Sequence, residues 1–133
     1  MAEIVFSSAV GDGPFVTYTA GGTLTQGMAL YFDTSTRTVK AADADAEASA
    51  ECIGFAGHAA ASGQPVAVQS KAGSRITVNS SLTKGVPYFL GISTPGSICL
   101  YSDISTGDYV SFVGIAISAT VLEIGILNSG VVI

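Results

Sequence analysis

Hydrophobic residues recur at every second position through most of this chain. Met28, Leu30 and Phe32 fall on one side of a stretch whose other side is Ala29 and Tyr31. Val66 and Val68 share a face, as do Ile76 and Val78, and as do Leu122, Ile124 and Ile126. A period of two is the strand period. Strands are predicted over 15–19, 28–32, 36–40, 52–58, 65–69, 74–79, 86–90, 97–101, 109–117 and 121–127. Turn residues separate them, among them Gly11-Asp12-Gly13-Pro14, Gly21-Gly22, Ser70-Lys71-Ala72-Gly73, Thr94-Pro95-Gly96 and Asn128-Ser129-Gly130. Short strands with frequent turns argue for a sandwich or a small barrel. No stretch has a convincing helical period. Residues 41–50, where Asp43, Asp45 and Glu47 are spaced by alanines, fit either a short helical turn or a loop.

The pattern occurs twice. Leu24-Thr25-Gln26-Gly27-Met28-Ala29-Leu30-Tyr31-Phe32 returns 58 positions on (24 to 82) as Leu82-Thr83-Lys84-Gly85-Val86-Pro87-Tyr88-Phe89-Leu90. Ile53-Gly54-Phe55-Ala56 returns 60 positions on (53 to 113) as Val113-Gly114-Ile115-Ala116. Two copies are too few for a solenoid and suit two related halves. The expectation is an all-β fold, a small β-barrel or sandwich built from two related halves (23–79 and 81–127) within one domain over 23–133. Residues 1–22 precede it as an extended N-terminal arm or a pairing strand.

Composition narrows the function classes. A chain of 133 residues is one domain. Only 11% of residues are charged, against about 25% in an ordinary soluble domain. Such a surface is either covered by partner subunits or kept soluble by uncharged polar residues. The net charge is −5 and the five basic residues, Arg37 to Lys84, are too sparse to neutralise a phosphate backbone, so no nucleic acid is expected. Cys52 and Cys99 make no disulfide framework; free buried thiols and a single bridge both remain open. Met1-Ala2-Glu3 starts no signal peptide. Residues 112–133 are long and apolar enough to span a bilayer, but Glu123 sits in the middle, where a charge costs about 2.5–3.5 kcal/mol. That segment is read as two strands and an apolar stretch that packs on the core or a neighbour, with no membrane role.

Candidate chemistry is thin. His58, the only histidine, has no nucleophile or carboxylate partner in the local pattern. Asp43, Asp45 and Glu47 offer oxygen ligands but lack the glycine and terminal glutamate of a calcium loop, so they read as a solvated acidic loop. No zinc spacing and no phosphate-cradling glycine motif occurs. No catalytic residue, cofactor or metal is expected, and the chain is read as non-enzymatic.

The segments 20–33, Val39-Lys40-Ala41-Ala42-Asp43-Ala44, Ile53-Gly54-Phe55-Ala56 and Ala60-Ala61-Ser62-Gly63-Gln64-Pro65-Val66-Ala67-Val68 together resemble small β-rich bacteriophage structural proteins. These are capsid decoration (cement) proteins and related tail and fibre domains. The resemblance spans about residues 20–127 and consists of turn and strand grammar. It implies a virion protein made in the host cytoplasm and bound to the outer capsid surface. Its partners would be the major capsid protein and itself, as a homotrimer. Ile4, Val5, Phe6, Phe15 and Tyr18 are the expected contact arm, and truncating residues 1–19 is expected to leave the barrel folded. The alternative is a tail-fibre or baseplate module binding a host-surface glycan. It would need an exposed aromatic cluster, for which Tyr18, Tyr31, Tyr88, Tyr101 and Tyr109 are the candidates.

Overall fold

Alternating sequence becomes alternating burial. The computed structural model describes residues 3–6 and 8–133; Met1, Ala2 and Ser7 of the N-terminal segment lie outside the described residues. The strands are β1 (Ala9–Gly11), β2 (Phe15–Thr19), β3 (Ala29–Asp33), β4 (Thr38–Ala41), β5 (Cys52–Ala56), β6 (Pro65–Gln69), β7 (Arg75–Val78), β8 (Pro87–Leu90), β9 (Ile98–Leu100), β10 (Tyr109–Ala116) and β11 (Val121–Val132). A 3₁₀ turn, Tyr101–Asp103, is the only helical element among the described residues. The strands form two antiparallel sheets, six-stranded in the order β1-β7-β11-β10-β8-β9 and five-stranded in the order β2-β6-β5-β3-β4. The architecture is therefore all-β and sandwich-like. The closed barrel is not formed: the outer edges of the five-stranded sheet meet only at the single bridge Ala20↔Val39.

Setting β1 aside, the two sheets follow the same path. In each, the first strand of the unit lies beside the fifth, then come the fourth, second and third. The duplication runs β2–β6 and β7–β11, so β7 belongs to the second unit, not to the first half as the sequence boundary at 79 had it. Equivalent hydrogen bonds recur. The Gly27 N–H donates to the Ala56 carbonyl at 2.8 Å, and the Gly85 N–H to the Ala116 carbonyl at 2.7 Å. The Leu24 N–H donates to Ala60 and the Leu82 N–H to Ala119. Gly27 (φ +86°) and Gly85 (φ +82°) both stand in the left-handed region that favours glycine. This is the physical content of the repeated Leu-Thr-x-Gly.

Two cores result. One lies between the sheets and contains Phe55 and Cys52 from the five-stranded sheet with Ile76, Tyr88, Leu90, Val113, Leu122 and Ile124 from the six-stranded sheet. The other lies on the far face of the five-stranded sheet, where Leu30, Val39, Val66 and Val68 are covered by Ala20, Leu24 and Ala60. The five-stranded sheet is thus covered on both faces. Of the two alternatives for residues 41–50 the loop is the one formed, a run of turns after β4, but it is anchored: Ala42 and Ala44 are fully buried at the seam. The Ala44 N–H donates to Gly91 and the Ala44 carbonyl accepts from Tyr109 N–H, tying the first unit to the second. Ser111 and Asn128, opposite one another on β10 and β11, make a second tie. The Ser111 hydroxyl donates to the Ala50 carbonyl at 2.5 Å, and the Asn128 amide accepts from Cys52 N–H at 3.1 Å and donates to Cys52 C=O at 2.9 Å.

The N-terminal segment takes the pairing-strand alternative. Ile4 bridges Ile98 on β9, and β1 pairs with β7 at the other edge of the same sheet. Phe6 and Ala9 are buried in the central core. The accessible surface, 6176 Å², is close to the roughly 6,500 Å² of a compact monomer of this mass. Among the described residues no arm is splayed from the body, and a truncation of residues 1–19 would empty part of the core.

Glu3 fastens this segment to the turn between β8 and β9. Its carboxylate accepts from Ser93 N–H at 2.8 Å, Thr94 N–H at 2.9 Å and the Ser97 hydroxyl at 2.5 Å. Burial alone would raise its pKa, but these donors outweigh burial and hold it below the ordinary value of 4.5. A carboxyl lowered by folding stabilises the fold fully above that value and loses the contribution as pH falls through it. Glu3→Gln is therefore expected to cost about 1–2 kcal/mol at pH 7. The gap between variant and wild type should narrow as the pH falls below 4.5 and through the lowered folded-state pKa, read from urea midpoints across pH. An equal gap at pH 3 and pH 7 would mean that the charge is not what holds the turn.

Candidate interaction surface

The six-stranded sheet has an inner face on the central core and an outer face that nothing among the described residues covers. Cross-strand register places the outer side chains in rows. Phe89, Phe112 and Leu127 form one row across β8, β10 and β11. Pro87, Ile115, Glu123 and Arg75 form the next. Val121, Thr77 and Val10 form a third. An antiparallel sheet with one solvated face ordinarily alternates apolar in and polar out. Here the outer face is itself mostly apolar, with Val10 64% and Leu127 69% exposed. Its one ion pair, Arg75–Glu123 at 3.7 Å, lies at the surface and contributes little.

Aromatic rings crowd one end of this face. Phe89 packs against Tyr101 (centroids 5.6 Å, 59° between planes) and against Phe112 (5.7 Å, 66°). Tyr101, 58% exposed, is the one tyrosine of the five sequence candidates that joins this cluster. Tyr88 is buried and its hydroxyl accepts from Thr83 N–H at 2.9 Å. Tyr18 packs on Phe32, and Tyr31 and Tyr109 pack against the central core. The two phenylalanines escaped the sequence reading because alternation alone does not say which face of a strand is the covered one.

The expected contact arm is dispersed. Ile4 and Phe6 belong to the central core, Val5 is exposed, Phe15 is exposed on β2, and Tyr18 packs against the second core. Buried Phe6 and half-buried Ile4 are structural. They do not form one patch with Phe15.

The polar candidates have internal partners. His58 Nε2 accepts from Ala67 N–H at 3.1 Å while Nδ1 lies 2.9 Å from the Ala59 carbonyl, a pairing that puts the proton on Nδ1. Asp43 accepts from Asp45 N–H and from the Ser49 hydroxyl. Burial, and then the neighbouring Asp45, push its carboxyl up to about 6. Among the described residues no three His, Cys, Asp or Glu side chains converge as metal ligands. Cys52 and Cys99 are free and buried, and burial pushes both thiols up to about 12. A thiol held so far above neutrality carries almost no thiolate and is a poor nucleophile.

A cleft of about 530 Å³ opens beside β1 and is lined by Val10, Asp12, Arg75, Thr77, Ile117 and Val121 among others. Asp12 there accepts from Arg75 N–H at 2.9 Å and Gln69 Nε2 at 3.1 Å, which pins the link between the sheets. The membrane-length segment 112–133 is the β10–β11 hairpin, and no helix among the described residues is long and apolar enough to cross a membrane. No protein-family model matches the chain, and no curated protein matches it in sequence.

Proposed function

We propose that the chain is a virion structural protein, a decoration (cement) protein that binds the outer surface of a bacteriophage head and stabilises contacts between major capsid subunits. The observation that carries this reading is the uncovered apolar face of the six-stranded sheet. A broad, mostly apolar face whose two charges, Arg75 and Glu123, pair with each other suits docking on another protein's surface. The turn and strand grammar over residues 20–127 supports it from the sequence side. In this role the work is mechanical: the two ties at residues 42–44 and 50–52 lock the sheets together, so load applied to one sheet is carried by the other.

One observation favours the glycan-binding reading, the cluster of exposed Tyr101 with half-buried Phe89 and Phe112. Their planes stand 59–66° apart, a geometry that packs rings on one another and presents no common flat platform to a sugar. The shell-binding reading is preferred for that reason.

The test is the copy number of the chain in purified particles, relative to the major shell protein, by quantitative mass spectrometry. Near-stoichiometric amounts are expected. A few copies per particle would move the protein to the tail or fibre, and complete absence would overturn the reading. In a binding assay with undecorated heads, Phe112→Lys is expected to abolish decoration while the variant stays folded, since Phe112 lies on the outer face.

A further inference from the structure

The outer face of the six-stranded sheet has a counterpart in the first unit, and there it is covered. Ala29 and Tyr31 on β3 correspond to Pro87 and Phe89 on β8, 58 positions on (29 to 87). Cys52 and Phe55 on β5 correspond to Phe112 and Ile115 on β10, 60 positions on (52 to 112). In the second unit these positions lie in the two outer rows across β8 and β10. In the first unit they lie on the central core, with Ala29, Cys52 and Phe55 buried in it and Tyr31 packed against it. The opposite faces correspond as well. Leu30 and Phe32 belong to the second core, and their counterparts Tyr88 and Leu90 belong to the central core. The same face of the repeated unit is therefore a packing face in one copy and uncovered among the described residues in the other. What covers it in the first unit is the inner face of a β-sheet.

The spacing of the rows suits the same kind of cover. Phe89, Phe112 and Leu127 follow one another across neighbouring strands, which lie about 4.8 Å apart. A facing sheet has that spacing too, and its side chains interdigitate with such rows over the whole face. A helix would reach the face along one apolar stripe only.

A second copy of the chain does not offer this cover. The inner face of the six-stranded sheet is taken by the first unit, and the counterpart face of the five-stranded sheet by Ala20, Leu24 and Ala60. The occupant is a sheet of another protein. We propose, resting on the shell-binding reading, that the shell surface on which this face docks is the apolar face of a β-sheet. It stacks on the six-stranded sheet as that sheet stacks on the first unit.

The test is photo-cross-linking of the whole chain on undecorated heads. A benzophenone side chain replaces Leu127 in one variant and Val10 in another; both residues are exposed on the outer face, so both variants are expected to fold. Both are expected to cross-link to strands of one β-sheet of the shell subunit, mapped by mass spectrometry of the joined peptides. The same group at Val16, on β2 of the other sheet, is expected to give no cross-link. Decorated heads whose cross-links fall in helices or loops, or that give none, would overturn this inference and leave the shell-binding reading standing. Heads that take up no chain would overturn that reading and this inference with it. A second arm needs no virion. Sedimentation equilibrium of the free chain, from about 1 to about 500 micromolar, is expected to show a monomer throughout. A dimer that Phe112→Lys abolishes would make a second copy the occupant and overturn the proposal.

Discussion

Replacing Phe6 by alanine is expected to cost about 3–5 kcal/mol, the ordinary loss for a buried aromatic ring. That is a large share of the roughly 5–15 kcal/mol that holds a domain folded. Phe6 is 4% exposed and belongs to the core between the sheets. Its ring lies against the Gly27 turn, where a β-carbon on Gly27 would come within 3.2 Å of Phe6 Cδ2. The main chain around it is anchored on both sides, by Ile4 on β9 and by Ala9 on β7. The site has little freedom to collapse around the lost ring, which puts the cost toward the upper end of the range. Val5→Ala, one residue away, is expected to change stability by less than about 0.5 kcal/mol, because Val5 is 49% exposed. Urea unfolding of the two variants beside wild type checks the contrast. Equal midpoints for all three would mean that the segment is a detachable arm after all.

The second large effect is expected at Gly114. A β-carbon there would stand 2.4 Å from the Glu123 carbonyl oxygen and 3.3 Å from Leu122 Cδ1. The carbonyl is main chain of the neighbouring strand and cannot swing aside. Gly114 also adjoins a register shift between Phe112 and Gly114, against both β11 and β8. Gly114→Ala is expected to cost about 3 kcal/mol, the upper end of overpacking penalties. Gly54 holds the equivalent place in the first unit, 2.6 Å from the Gln69 carbonyl oxygen by the same construction, and Gly54→Ala should behave alike. Gly125→Ala is the control, since its nearest contact is Phe112 Cε2 at 3.5 Å, ordinary van der Waals distance. Thermal unfolding of the three variants separates the cases. A tolerated alanine at 114 would show that the two strands can part there without loss.

Ile53-Gly54-Phe55-Ala56 and Val113-Gly114-Ile115-Ala116 were visible in the sequence as an echo, and the echo has a local cause. Both glycines let two main chains approach within a distance that no side chain permits. The Leu-Thr-x-Gly echo has a local cause as well, a left-handed turn. Features set by one strand and its turn were therefore legible: nearly every strand position, the duplication and the absence of helix. The acidic stretch is the loop that the sequence allowed beside a helical turn; what alanine's helix propensity obscured is its alternating burial, Ala42 and Ala44 in and Asp43 and Asp45 further out.

The candidate surface was much less legible. Phe89, Phe112 and Leu127 look like any other alternating apolar residues, because alternation divides a strand into two faces and does not say which is covered. Phe6 was assigned to a contact arm because an apolar run outside the repeat has no visible partner in the chain. The partners are distant in sequence: the Gly27 turn is 21 positions on (27 − 6), and β7 and β9 are more than 60.

The sequence by itself determined the all-β class, the two related units and the low charge, since these depend on period, turn chemistry and composition. Only the tertiary structure decided that two open sheets form in place of a closed barrel. It also decided that β7 opens the second unit, that the N-terminal segment is core, and that one sheet face stays uncovered among the described residues. Those outcomes depend on which strand meets which across long separations, and pairing over such distances leaves no periodic mark in the residues that take part.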